Sequence, residues 1–111
     1  FPELKQNLSA ETITDEQTID TIKDVYARHN YTLEPHGAVA YLALDNYLKQ
    51  RPGQQGFILE TAHPVKFPDA VENAIGQKVQ VPRELDGLMQ RDKLSIKIRP
   101  EYADFKEYLC S

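Results

Sequence analysis

Hydrophobic positions along the chain follow two periods. Ile19, Ile22, Val25, Tyr26 and His29 recur at steps of three and four, which predicts a helix that ends near Asn30. Thr14 stands where an N-cap belongs, and Gln17 stands where its capping-box partner belongs. Asp15 and Glu16 suit the positive end of that helix. His29 reads as a partly buried edge residue. From Ala38 the chain runs Ala-Val-Ala-Tyr-Leu-Ala-Leu, a helical composition that is apolar nearly all round at its start, so this end is expected to be buried. Gly37, Ala38, Ala40 and Ala43 leave room for a close neighbour, and Arg51-Pro52-Gly53 stops the helix.

Phe57-Ile58-Leu59 is a continuous apolar run, the pattern of a strand buried on both faces. Phe67, Val71, Ala74 and Ile75 form a third helical stripe, with Gly76 placed as its C-cap. Val79-Gln80-Val81 reads as an extended connector, and Pro82 as the opening of a helix whose Leu85, Leu88 and Met89 share a face, Met89 as core filler. Leu94, Ile96 and Ile98 alternate with Ser95, Lys97 and Arg99, a one-sided strand. Tyr102, Phe105 and Leu109 mark a closing helix. The pattern predicts a helix-rich α/β fold with a buried-type strand over about 56–61, a second short strand over about 94–99 and about five helices. Two such strands do not complete a sheet, since unpaired backbone groups are costly when buried and invite pairing when exposed.

Composition narrows the class. The 111 residues suit one small domain, and 41% apolar content is ordinary for a globular chain. The net charge is −4 with both signs scattered, so nothing points to nucleic acid or to a membrane surface. The single cysteine, Cys110, has no internal disulfide partner. His29, His36 and His63 lack metal-ligand spacing, so no metal site is expected.

Candidate chemistry gathers at Glu60-Thr61-Ala62-His63-Pro64-Val65-Lys66-Phe67, between the apolar run and the third helix. Open α/β sheets place ligands at such strand-to-helix junctions. The turn offers a hydroxyl, an imidazole and an ammonium. An equally local reading makes Thr61 a helix cap, His63 exposed and Lys66 solvated.

Thr61 to Phe67 resembles the T-A-H-P-A-K-F signature of threonine synthases, with Val65 where alanine is usual. Thr14-Asp15-Glu16-Gln17-Thr18 is similar to that family's [ST]-D-E-x-T helix start, and Tyr31 to Ala40 to its Y-x-x-x-P-H-x-A-V segment. Phe1 aligns with the phenylalanine of an N-P-S-N-F-x-R segment. The resemblance implies a single carboxyl-terminal piece over 1–111, linker-like over 1–12 and helix-rich α/β over 13–111, of a pyridoxal-phosphate (PLP) enzyme of fold type II. Such enzymes convert O-phosphohomoserine and water to L-threonine and phosphate, and the cytoplasm is the implied location. The lysine that holds the cofactor would lie in the missing amino-terminal part, so this piece carries no catalytic residue and is expected to be inactive alone.

The same resemblance implies that the Thr61 hydroxyl meets the pyridine nitrogen of PLP. Glu34-Pro35-His36-Gly37-Ala38 resembles the E-P-x-[GS]-A loop near the cofactor in fold type II enzymes, which brings in Glu34 and His36, and the T-A-H-P motif brings in His63. Two alternatives stay open at this point: a related phospholyase acting on O-phosphohomoserine, and a non-catalytic interaction domain. Expected partners are the amino-terminal part, the substrate and, through the unpaired strand, a second copy of the chain.

Overall fold

The computed structural model describes residues 2–111, with the side chains of Pro2, Leu4, Lys5, Asp86 and Met89 outside that description. The readings of Phe1 and of Met89 therefore fall outside the described residues. Among the described residues there are six α-helical segments: α1 (Pro2–Asn7), α2 (Asp15–His29), α3 (Pro35–Lys49), α4 (Pro68–Ile75), α5 (Asp86–Met89) and α6 (Tyr102–Cys110). Only α2, α3, α4 and α6 reach two turns. Single 3₁₀ turns occupy Pro64–Lys66 and Arg83–Leu85. None of these helices is long and apolar enough to cross a membrane. The chain divides into two compact units, Phe1–Val81 and Pro82–Ser111.

In the first unit α2 packs on both α3 and α4. The ends of α2 form as the sequence predicts. The Gln17 backbone N–H donates to Thr14 Oγ1 at 3.2 Å, and the Thr14 N–H donates to Gln17 Oε1 at 2.9 Å. Asn30 closes the helix in the left-handed region at φ 51°. Thr18 and Thr21 lie on the buried face, which an apolar-only reading overlooks. Their hydroxyls donate to the Thr14 and Gln17 carbonyls at 2.9 and 2.7 Å, so no buried donor is left without a partner. His29 is exposed rather than partly buried.

Ile22, Val25, Leu33, Ala38 and Ala74 form the core, with Ile19, Tyr41, Ile58 and Ile75 packed against it. The start of α3 is buried at Gly37 and Ala38, as its composition predicts. Gly76 caps α4 at φ 71°, the left-handed conformation that glycine adopts without a Cβ penalty.

The α/β expectation is overturned. Among the described residues there is no strand, and residues 56–61 and 94–99 are irregular. Phe57 and Leu59 are 83% and 72% exposed, so the run is not buried on both faces; only Ile58 reaches the core. Leu94 is 95% exposed, and Ile96 and Ile98 are also exposed. The reason is pairing. A strand exists only as part of a ladder, and among the described residues neither segment is paired in one. The count of about five helices also fails. The stretch expected as a helix from Pro82 is a 3₁₀ turn followed by the four-residue α5. In the second unit Tyr102, Phe105 and Leu109 of α6 remain exposed.

Burial predicts the effect of truncation. Ile22→Ala is expected to lower unfolding free energy by about 2–5 kcal/mol through lost burial and a residual cavity. Leu94→Ala should change it by less than about 0.5 kcal/mol. Denaturant midpoints of the two variants check this. A large loss at Leu94 would mean that its side chain is covered.

Candidate functional site

The site is built on the first turn of α3. Pro35 at the first helical position fixes φ for the helix and has no N–H to satisfy. Glu34, in extended conformation, is the N-cap, and its side chain is fully buried. Its Oε2 accepts the His36 backbone N–H at 3.0 Å, and its Oε1 accepts the Gly37 N–H at 3.0 Å. His36 Nδ1 lies 2.7 Å from Oε2 and donates to it. Burial pushes the Glu34 carboxyl up. The His36 backbone and ring and the Gly37 N–H together outweigh burial and hold it below the ordinary carboxylate range.

The His36 ring meets the edge of Phe67 at a centroid distance of 5.1 Å and an interplanar angle of 65°. This contact joins the start of α3 to the 63–67 turn. In that turn the cap is His63, not Thr61. His63 Nδ1 accepts the Val65 N–H at 3.1 Å, so in the neutral ring the proton sits on Nε2. His36 has the opposite arrangement, with its proton on Nδ1 and a free lone pair on Nε2 whenever the ring is neutral. Thr61 is exposed and stands outside the capping bonds. Lys66 is exposed as well.

A cleft of about 530 Å³ opens beside His63, lined among others by Tyr26, Tyr31, Glu60, Gln77 and Lys78. Tyr26 and Gln77 are hydrogen-bonded to each other across it. Lys78 Nζ is 2.6 Å from Glu72 Oε2, which leaves its charge already paired. Thr61 is not part of the described lining. Of the sequence-predicted residues, the structure brings Glu34 and His36 into direct contact, places His63 at the cleft and leaves Thr61 on the surface.

Glu60 was missed by sequence reasoning. Its carboxyl rests against Gly37, and burial followed by the nearby Glu34 charge raises it above the ordinary range. An acid next to Thr61 at the end of an apolar run was the available signal. The capping role of Glu34 was also missed, although a proline in the next position marks an N-cap.

Threonine synthase from Escherichia coli matches with a TM-score of 0.83 and 33% identity, covering 98% of this chain and 26% of that one. PLP-bound threonine synthase from Brucella melitensis matches with a TM-score of 0.73 and 32% identity, covering 97% and 23%. The threonine synthase of Haemophilus influenzae is 36% identical over 103 residues, 93% of this chain and 24% of its own length. That of Escherichia coli K12 is 36% identical over 106 residues, 96% and 24%. Residues 37–109 match the family described as "Threonine synthase, C-terminal", and the chain belongs to this family. It spans about a quarter of the length of these relatives.

The two acids should titrate against each other. Glu34, held low, contributes stability that is present above the ordinary carboxylate range and lost as pH falls through its lowered folded value. Glu60, held high, contributes stability that is present below that range and lost as pH rises through its raised value. Glu34→Gln is therefore expected to cost about 1–3 kcal/mol at neutral pH by weakening charged hydrogen bonds, and to flatten the loss in acid. Glu60→Gln should raise stability at neutral pH. Denaturant midpoints measured against pH decide both, and parallel shifts of the two variants would contradict the assignment.

Proposed function

We propose that this chain is the carboxyl-terminal segment of a PLP-dependent threonine synthase, acting in the cytoplasm, that converts O-phosphohomoserine and water to L-threonine and phosphate. Likeness to threonine synthases over nearly the whole chain carries the reading. The residues present fit the cofactor. The Thr61 hydroxyl is exposed and is not used as a helix cap, so it is free to donate to a ligand. When bound, PLP supplies an electron sink at the substrate carbon. Toward it, the Thr61 hydroxyl would donate a hydrogen bond to the pyridine nitrogen, and it would carry no charge that keeps a proton there. Glu34 and His36 hold the first turn of α3 in place, and the His36–Phe67 contact fixes the turn that follows Thr61. His63 offers an N–H beside the cleft.

On this reading the cofactor-bearing lysine and most substrate contacts belong to the amino-terminal part, and the segment alone does not turn over substrate. The exposed Phe57 and Leu59 are covered by that part in the whole enzyme. In its absence the segment is expected to self-associate. Light scattering should show dimers or larger species, and a strictly monomeric segment would count against that coverage.

The assignment of Thr61 is tested in the full-length enzyme. Thr61→Ser should be mild. Thr61→Ala should weaken PLP binding by about tenfold, the equivalent of one hydrogen bond of about 1.4 kcal/mol, and slow turnover. Thr61→Asp should shift the cofactor absorbance by protonating the ring. Unaltered affinity, spectrum and rate in both Thr61→Ala and Thr61→Asp would overturn it.

A further inference from the structure

Segment 56–60 lies on α3 through alternate residues. A Cβ on Gly56 would come within 2.6 Å of Leu44 Cδ1, and a Cβ on Gly37 would overlap the Glu60 carboxyl. Between these contacts Ile58 packs on the core. Gly56 thus meets α3 at Leu44, Glu60 meets it at Gly37, and the segment runs antiparallel to the helix. The dimensions agree. Seven helical residues rise about 10.5 Å, and four extended residues reach about 13 Å.

Neither glycine has a positive φ. Gly37 lies inside a helix, where glycine is less favourable than alanine. Conformational freedom therefore does not account for these glycines, and close approach does. Gly56, Ile58 and Glu60 make these contacts, but of residues 56–61 Ile58 alone is partly buried, and the other five are exposed.

We propose that Gly37 and Gly56 are positioning residues: the two notches they leave seat residues 56–60 on α3 and so set where the Thr61 hydroxyl is presented. This rests on the reading of Thr61 as a cofactor contact. Gly37 touches neither cofactor nor substrate in this scheme. It acts through Glu60, whose neighbour in the chain is Thr61. A methyl group at position 37 displaces the Glu60 carboxyl from its notch, and with it the contact that ties residue 60 to α3.

The test uses the full-length enzyme in four forms: wild type, Thr61→Ala, Gly37→Ala, and Gly37→Ala combined with Glu60→Ser. PLP is titrated into each apoenzyme, and amide exchange over 57–61 is followed without cofactor. Gly37→Ala should weaken PLP binding about tenfold, as an ångström-scale misplacement can, and should speed exchange over 57–61. Adding Glu60→Ser removes the group that the methyl meets, so it should recover most of the affinity and the protection. Thr61→Ala should lose affinity with exchange unchanged. Wild-type affinity and exchange in Gly37→Ala would show that the Glu60 side chain rotates away freely, and would overturn the proposal. So would a double variant no better than Gly37→Ala. If instead Thr61→Ala keeps wild-type affinity, the reading of Thr61 fails, while the exchange data still decide whether the notches seat the segment.

Discussion

The buried carboxylate of Glu34 is the constraint on which the first unit turns. A helix start leaves backbone N–H groups without partners, and here two of them are taken up by one side chain within three residues. The charge is tolerated because every bond to it comes from a donor, and because the positive end of α3 lies against it. That single cap also orients His36, and His36 in turn touches Phe67. Removing the carboxylate would therefore loosen a helix start, an imidazole and the neighbouring turn at once.

Local chemistry was legible in the sequence, and long-range pairing was not. The capping box at Thr14 and Gln17, the end of α2 at Asn30 and the left-handed Gly76 all depend on residues a few positions apart, so the sequence pattern shows them directly. The start of α3 lay three residues earlier than its alanine-rich run suggested, because Pro35 begins the helix before the apolar residues do. The strands failed for a different reason. Phe57-Ile58-Leu59 and Leu94, Ile96, Ile98 carry the composition of paired strands, but composition records the surroundings a segment is suited to rather than those its own unit supplies. Of the candidate site, Glu34 and His36 were singled out by resemblance alone, and their contact follows from the cap that Glu34 makes, which their spacing does not show. The placement of Glu60 against Gly37 depends on how a distant segment crosses α3, which no local pattern encodes.

The exposed apolar side chains tell the same story from the surface. Phe57 and Leu59 in the first unit, and Leu94 and Ile96 in the second, are far more exposed than their type favours. Runs of this kind mark contact surfaces on soluble proteins. The chain that carries them spans about a quarter of the length of the relatives it matches.

The caps described above bear on the order in which the molecule assembles. Thr14 with Gln17, Glu34 with Gly37, and His63 with Val65 each close a loop of two or three residues. The entropy lost in closing a loop grows with its length, so these contacts can form early, and chains dominated by local contacts fold quickly. Helix starts are in this sense written into the chain at close range. Segment 56–61 has no such local instruction. Its contacts with Gly37 and Leu44 of α3 close far longer loops, and the entropy cost of closing them is correspondingly larger.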